Sequence, residues 1–405
     1  MKRYGNLHSK LIRRENIELA DNNARKGKSN IGIIEHDKHR KEDNDKLQSD
    51  FINLTYHTSE YNIFKIYEPK EREIYRLPYY PDRIAHHALM NILEPIWVKI
   101  FISHTYSCIS GRGIHKCAKD LKKVLRKDVS GTKYCLKLDV KKFYPSIDHN
   151  ILKSIVRRKI KDKKLLVILD EIIDSSNGVP IGNYLSQFFA NLYLTYFDHW
   201  LKEECKVKYY FRYADDIVIL SDNKDFLHNI LVAIKLYLKY ELNLQVKDNY
   251  QIFPVESRGV DFVGYKFYHK YTLLRKSIKI KMLRLVNKYN KGLITREDFI
   301  NRMASYSGWM KYCNSKHLLN KIEELTHLHI SNWDGLRTTL SKVYNKNVRF
   351  IEYIVHKKYF DIHFIYKGLS YSVISSNKSL YKNIADLGES TNYIFIKYGK
   401  KTRKY

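Results

Sequence analysis

The chain has 405 residues, and hydrophobic residues make up 44% of them, which favours a folded protein with a sizeable core over a disordered chain. Its formal net charge of +30, from 73 Lys and Arg against 43 Asp and Glu, indicates a polyanionic partner, most simply nucleic acid. It contains no apolar run of about 18 residues, so no membrane span is expected. Five scattered cysteines without a CxxC pair argue against a disulfide framework or a zinc site and fit the reducing cytoplasm.

The first 80 residues predict a charged leading segment followed by a hairpin. Residues 1–50 are rich in charge and predict a basic, partly helical N-terminal extension. Residues 61–80 alternate like two strands around a turn that contains a proline. This turn carries Lys70 and Arg72, and a basic tip of that kind could close over a triphosphate. A solvated hairpin turn explains the same segment equally well.

Apolar residues recur at helical spacing in several segments downstream. The predicted helices cover residues 81–96, 115–127, 150–174, 225–241, 277–290 and 318–325. Thr295 begins a pattern that resembles a capping box and predicts one further helix. Gly308 and Trp309 are expected to lead into the last helix, with Trp309 packed in the core rather than placed against a duplex.

Two apolar, strand-like segments end in carboxylates. Asp139 ends the first, with Tyr144 five positions later, and Asp215 and Asp216 lie at the tip of a predicted hairpin. An isolated Asp-Asp pair is most simply an ordinary turn. Three carboxylates from two strands can also hold two divalent cations about 4 Å apart, the arrangement that drives phosphoryl or nucleotidyl transfer. Magnesium suits such an all-oxygen site.

A Gly/Pro loop over residues 177–187 lies between the two acidic segments and leads into an apolar helix. Gly182 would let a strand or a base approach the backbone closely, and Gln187 offers hydrogen bonds from the first helical turn. Farther on, Lys247 could donate a proton or neutralise pyrophosphate, although a plain surface lysine explains that residue taken alone. Residues 260–265 predict a tight hairpin.

The last 70 residues change in character. Residues 360–366 and 371–374 alternate with period two around Lys367-Gly368, which predicts a hairpin, and residues 393–396 predict another strand. A basic tail follows. We interpret residues 331–405 as a small β-rich accessory domain.

The order of these motifs resembles the palm of right-hand polymerases, and the residues themselves are similar to those of reverse transcriptases. The matching residues are Asp139 with Tyr144, then Tyr213-Ala214-Asp215-Asp216, then Phe262-Val263-Gly264-Tyr265. The resemblance covers residues from about 60 to 325. It implies an α+β right-hand polymerase with fingers and palm in residues 51–270, a helical thumb in 271–330, and the accessory domain after them.

The resemblance also implies roles for individual residues. Asp139, Asp215, Asp216 and the backbone of Val140 would bind two Mg²⁺ ions, with Mn²⁺ as an alternative. Tyr144 would lie beneath the sugar and exclude a 2′-hydroxyl, while Lys70 and Arg72 grip the triphosphate. The remaining nucleotide-binding residues would be Ile181, Gly182, Gln187 and Lys247. The primer grip would be formed by Phe262, Gly264 and Tyr265.

Within the family, residues 181–187, 249–256 and 305–309 resemble the enzymes of bacterial diversity-generating retroelements, which copy a repeat RNA with errors at adenines. Ile181 stands where most reverse transcriptases carry Gln, and an aliphatic side chain cannot make that hydrogen bond near the nucleotide. The expected partners are an RNA template, a DNA or RNA primer, dNTPs and a basic accessory protein. An antiphage-defence reverse transcriptase, an RNA-directed RNA polymerase and a non-catalytic RNA-binding protein remain alternatives.

Overall fold

The computed structural model describes residues 2–67, 71–326, 348–355, 360–366 and 369–375. The chain divides into two units, Met1–Val263 and Gly264–Tyr405. The helices of the first unit are α1 His8–Leu11, α2 Arg14–Arg25, α3 Ile31–Lys38, α4 Arg40–Asn53, α5 Ile84–Trp97, α6 Ile114–Lys127, α7 His149–Arg157, α8 Lys163–Asp174, α9 Tyr184–Tyr193, α10 Thr195–His199, α11 Lys224–Leu242 and α12 Val255–Arg258. Its strands are β1 Asn62–Ile66, β2 Arg72–Arg76, β3 Tyr134–Asp139, β4 Tyr209–Tyr213, β5 Asp216–Ser221, β6 Gln251–Pro254 and β7 Val260–Phe262.

A four-stranded antiparallel sheet in the order β4-β5-β3-β6 forms the centre of the first unit. The central strand β5 is buried at all four of its inner positions, residues 217–220, which fits its nearly continuous apolar sequence. Helix α11 packs against both β3 and β5. The register pairs Leu138 with Ile217 and Asp139 with Asp216, so the carboxylates stand at one edge of a rigid apolar sheet.

The N-terminal residues are packed into the first unit. Leu11, Ile17 and Phe51 are completely buried in the same core cluster as Leu136 and Leu138 of strand β3. Helix α2 packs against α5. Residues 1–50 are therefore helical and built into this core, whereas the predicted division into functional domains stays a prediction.

Two predicted helical boundaries were wrong. The segment 150–174 forms two helices, α7 and α8, because Asp162 caps the second one by accepting a hydrogen bond from the backbone N–H of Leu165. Gly308 and Trp309 lie inside a helix rather than before one. The capping prediction at Thr295 is confirmed, since its side chain accepts a hydrogen bond from the backbone N–H of Asp298.

The second unit contains helices and antiparallel strands. Its described elements are β8 Tyr265–Phe267, β9 Thr272–Leu274, α13 Lys276–Asn290, α14 Arg296–Met310, α15 Lys316–Thr326, β10 Val348–Val355, β11 Phe360–Tyr366 and β12 Leu369–Ser375. Strands β10, β11 and β12 form an antiparallel sheet, which confirms the predicted hairpin over residues 360–374. Lys367, Gly368 and the strand predicted at 393–396 lie outside the described residues.

The first unit combines helices with antiparallel sheets, as the α+β prediction required. Among the helices that the structure describes, none is both long and apolar enough to cross a bilayer.

Candidate active site

The sheet edge brings the predicted carboxylates together. Asp139 ends β3 directly opposite Asp216 at the start of β5, and Asp215 lies in the turn between β4 and β5. Ala214 in that turn has a φ of 54°, a left-handed conformation that costs energy for a residue with a Cβ atom. The turn therefore holds a strained backbone at the point where the acidic side chains meet.

Asp215 and Asp139 interact through space. Burial, and then the neighbouring Asp139 carboxylate, raise the pKa of Asp215 from 3.8 to about 7. Two adjacent carboxylates resist ionising together, because like charges in a partly desolvated site repel each other. In the absence of a cation, the pair therefore tends to keep a proton near neutral pH.

Two lysines lie beside the carboxylates. Lys247 Nζ is 2.7 Å from Asp139 Oδ2, and the Lys247 backbone N–H donates to the Asp139 carbonyl at 2.8 Å. Lys137 Nζ lies 3.9 Å from Asp216 Oδ1. Both ion pairs keep about a quarter to a third of each side chain exposed, so neither is a sealed pair that a cation could not displace. Val140, the expected backbone ligand, bridges to Val246 and so lies between these lysine and carboxylate positions in the chain.

Within the described residues, no three His, Cys, Asp or Glu side chains converge as a preformed metal cage. Mg²⁺ does not require one, since it is usually held by one or two carboxylates together with substrate phosphates and water. The donor set at this edge consists of oxygen atoms. Asp139 Oδ1 is buried and accepts no hydrogen bond within the described part of the chain, which leaves an oxygen available to a hard cation. The residues therefore fit magnesium.

Tyr144 and Arg72 lie close to this edge. Burial raises the pKa of Tyr144, and smaller contributions come from the charges of Asp215, which raises it, and Arg72, which lowers it. The ring thus lies within electrostatic range of both residues. Arg72 starts strand β2, as the predicted hairpin requires, while Lys70 lies outside the described residues.

The Gly182 loop is attached to strand β2. The Ile181 carbonyl accepts a hydrogen bond from the Tyr75 N–H at 2.8 Å. A Cβ atom at Gly182 would lie only 2.7 Å from the Tyr75 carbonyl oxygen, and the φ of Gly182 is 128°. The close approach expected at Gly182 is thus made by a strand. Gly182 and Gln187 both line a cavity of about 720 Å³, whose lining includes neither Tyr144 nor the three aspartates.

The residues expected in the primer grip fall on either side of the unit boundary. Phe262 is fully buried in the first unit. In the second unit, a Cβ atom at Gly264 would lie 2.2 Å from the Trp309 ring, and the Tyr265 hydroxyl donates to the Trp309 carbonyl at 3.0 Å. Trp309 therefore packs against Gly264 and Tyr265, in line with the core role expected for it.

A buried ion pair beneath the β4–β5 turn was missed by the sequence analysis. Arg212 and Asp198 are both completely buried, and the guanidinium donates to both carboxylate oxygens at 2.5 and 2.7 Å. Its third nitrogen, Nη1, donates to the carbonyl of Ala214 at 2.9 Å. The Tyr210 hydroxyl also donates to Asp198. A charged residue inside the apolar strand Tyr209–Tyr213 was the available signal, because burial of arginine demands a partner.

The raised pKa of Asp215 predicts how stability depends on pH. Its neutral form stabilises the fold fully below the unfolded-state pKa of 3.8, and this contribution is lost as the pH rises through about 7. We expect Asp215→Asn to raise the free energy of unfolding in EDTA, by a few kcal/mol at most at pH 8 and by less at pH 5. Urea denaturation at both pH values measures the difference. Asp222→Asn, at an exposed aspartate, is the control; a loss of stability in Asp215→Asn at pH 8 would contradict the analysis.

Comparison with known proteins gives the site a family. Residues 68–267 match the family described as reverse transcriptase (RNA-dependent DNA polymerase). The chain is 24% identical over 271 residues to Protein YkfC of Escherichia coli strain K12, covering 55% of this chain and 69% of that protein. It is 29% identical over 200 residues to the Retron Ec73 reverse transcriptase of Escherichia coli, covering 45% of this chain and 63% of that one.

More distant similarities extend this comparison. The Group II intron-encoded protein LtrA of Lactococcus lactis subsp. cremoris is 25% identical over 136 residues, which cover 31% of this chain and 22% of LtrA. The chain thus spans less than two thirds of the retron and intron-encoded relatives. Apo telomerase from Candida tropicalis gives a TM-score of 0.44 at 14% identity, over 75% of this chain and 64% of that one. The predicted polymerase fold and enzyme class are confirmed by the family match: residues 68–267 are a reverse transcriptase domain, the domain of RNA-directed DNA polymerases.

Proposed function

We propose that this chain copies an RNA template into DNA by extending a primer, with Asp139, Asp215 and Asp216 at the reacting centre. The observation that carries the proposal is the meeting of the β3 end with the β4–β5 turn, because it places three carboxylates at one sheet edge inside a reverse transcriptase domain. A proton shared by Asp139 and Asp215 is what a site designed for positive charge shows when no cation is bound.

The surrounding residues have separate roles in this proposal. Two Mg²⁺ ions, or Mn²⁺, would activate the primer hydroxyl and neutralise the charge on the phosphates when bound. Asp139, Asp215, Asp216 and the Val140 carbonyl would hold them. Lys247, displaced from Asp139, would be free to protonate or neutralise the leaving pyrophosphate.

The nucleotide would lie between the carboxylates and the β1–β2 hairpin. Tyr144 would lie beneath its sugar, and Arg72 with Lys70 would contact the triphosphate. Electrostatic coupling of Tyr144 to both Asp215 and Arg72 supports this placement. Phe262, Gly264 and Tyr265 would position the primer end, and α13–α15 would serve as the thumb.

Charge supports a nucleic-acid partner as the substrate. In the first unit, a groove of about 850 Å³ beside α6 is lined by Arg112, Lys116, Lys123, Lys127 and Lys208. Lys123 and Lys127 form no ion pair within the described residues. With the net charge of +30, these cations suit a phosphate backbone. RNA template, DNA or RNA primer and dNTPs are thus the proposed substrates, and the cytoplasm is the proposed compartment.

We further propose that the enzyme belongs to the diversity-generating type, with a basic accessory protein as partner. Ile181 supports this, because its side chain offers no hydrogen bond and its carbonyl is already engaged by strand β2. A defence reverse transcriptase with a non-coding RNA template is the alternative, favoured by the similarity to a retron reverse transcriptase. Sequencing products made on a mixed-sequence RNA template tests the choice. We expect errors concentrated opposite adenines and fewer of them in Ile181→Gln; uniform errors would remove the diversity-generating assignment alone.

We expect Asp216→Asn to abolish primer extension while leaving RNA binding unchanged, because the amide keeps the shape of the carboxylate but removes its charge. Extension of a labelled primer on an RNA template measures activity, and filter binding in EDTA measures affinity. Asp222→Asn serves as the matched control at an exposed position after the same strand. Retained synthesis in Asp216→Asn would overturn the proposed reacting centre.

Tyr144→Ala separates DNA synthesis from RNA synthesis. An RNA-directed RNA polymerase needs room for the 2′-hydroxyl, and the half-buried Tyr144 ring takes up such space beside Asp215. We expect Tyr144→Ala to lower the preference for dNTPs over NTPs roughly tenfold or more, since a steric exclusion is removed. Tyr144→Phe should keep the preference, because the ring remains. Incorporation of dNTPs and NTPs is compared in each variant, and an unchanged ratio in Tyr144→Ala would exclude it as the sugar gate.

Arg212→Lys tests whether the buried ion pair positions the turn. A lysine cannot reach Asp198 and the Ala214 carbonyl at once, so the turn should lose its fixed backbone. We expect kcat to fall roughly tenfold or more with little change in RNA affinity, because small misplacement of reacting groups is costly. Tyr210→Phe is the control, since it removes a hydrogen bond to Asp198 and leaves the guanidinium in place. Equal losses in both variants would reduce Arg212 to a stability role.

A further inference from the structure

The cavity of about 720 Å³ beside the β1–β2 hairpin is built by four parts of the first unit. Its walls come from the start of α3, both strands of the hairpin, the start of α5, and the Gly182–Gln187 segment. This volume lies within the usual range for a small-molecule site. The three aspartates and Tyr144 are not part of its lining, so the cavity is separate from the proposed reacting centre.

Two polar atoms of the cavity lining are buried without a partner. Arg83 Nε and His86 Nε2 are both inaccessible to solvent and form no hydrogen bond within the described residues. His86 is only 2% exposed, and burial followed by the nearby His87 and Arg83 lowers its pKa to about 3, so the ring is neutral. Most buried polar groups in proteins have a partner, and leaving one without costs about 1–3 kcal/mol.

Arg83 makes the demand for an anion specific. A guanidinium stays charged even when desolvation lowers its pKa, as it does here, and so it cannot become neutral on burial. Arg83 and Arg76, which also lines the cavity, form no ion pair in the described part of the chain. The one carboxylate in the lining, Glu60, is exposed and therefore solvated. The interior of the cavity is thus positive, and its rim is mixed.

Aromatic rings complete the lining. Phe64, Tyr75, Tyr79 and Tyr184 all line the cavity. Tyr184 is stacked on His87 at a centroid distance of 4.5 Å, and the Tyr79 hydroxyl is engaged by Asp21. Phe64 is 43% exposed and is available to stack on a base. Rings beside arginines suit a nucleotide, because the base stacks while the phosphate pairs with the guanidinium.

We propose that this cavity binds one phosphorylated nucleotide unit, with its phosphate on Arg83 and its base against the aromatic wall. The neutral His86 supplies a hydrogen-bond donor or acceptor, according to its tautomer, to the same unit. The unit comes either from a free nucleotide or from a single-stranded RNA residue beyond a primer–template duplex. Both present the same phosphate and base, and the experiment separates them.

Binding is measured in EDTA with the full chain, so that it does not depend on polymerase activity. One arm titrates adenosine 5′-monophosphate, with adenosine and inorganic phosphate for comparison, by isothermal titration calorimetry. The other arm compares RNA–DNA duplexes with and without a four-nucleotide single-stranded RNA overhang. The variants are Arg83→Gln, which removes the charge, and Phe64→Ala, which removes an exposed ring and leaves the core intact. Arg13→Gln is the control at an exposed arginine outside the cavity.

We expect Arg83→Gln to weaken binding roughly tenfold and Phe64→Ala to weaken it by a smaller factor, with Arg13→Gln unchanged. If the monophosphate binds and Arg83→Gln loses it, the ligand is a free nucleotide. If only the overhang adds affinity and Arg83→Gln removes that gain, the ligand is a strand residue. Affinities in Arg83→Gln and Phe64→Ala equal to wild type in both arms would overturn the proposal while leaving the proposed polymerase untouched.

Discussion

The buried ion pair of Arg212 and Asp198 is the contact on which the reacting centre depends. It links helix α10 to strand β4, and the same guanidinium holds the carbonyl of Ala214. Ala214 adopts a left-handed conformation that a non-glycine residue does not favour, and such strain persists only where the surrounding structure fixes it. The fold thus fixes from below the turn that presents Asp215 and Asp216.

Above this turn the electrostatic balance is reversed. Beneath it, opposite charges are paired and sealed from water; at the sheet edge, like charges are brought together and only partly neutralised by lysines. The closeness of Asp139 and Asp215 costs stability whenever both are ionised. A rigid apolar sheet and a buried arginine make this closeness tolerable, because neither carboxylate can move away without breaking packing or hydrogen bonds.

The first unit therefore contains two positively biased regions with different chemistry. The Lys247 and Lys137 ammonium groups lie against carboxylates and can be exchanged for metal cations. Arg83 and Arg76 line a cavity where no described carboxylate pairs with them, and that cavity suits an anion. Strand β2 serves both regions, since Arg72 begins it and Arg76 ends it. This arrangement would let one hairpin contact two parts of a bound nucleic acid substrate.

Much of the local structure could be predicted from the sequence. Period-two alternation predicted the hairpin of β11 and β12, a Thr-x-x-Asp pattern predicted the start of α14, and apolar runs ending in Asp predicted the acidic edge. The break between α7 and α8 was missed, because helical periodicity continues across it and only a cap reveals it. The core role of residues 1–50 was missed too, since their high charge concealed a buried stripe that includes Leu11 and Ile17.

The sequence by itself determined which chemical groups are available and in what order: three carboxylates on two strand ends, an aromatic residue after the first, and a large excess of cations. Tertiary structure alone decided which of these groups meet. Lys247 lies on Asp139, Arg212 on Asp198 and Ala214, and Gly182 on β2, although 108, 14 and 107 residues separate Lys247 from Asp139, Arg212 from Asp198, and Gly182 from Tyr75. Ion pairing and pKa values depend on distance and burial in space, and no local pattern in the chain encodes either quantity.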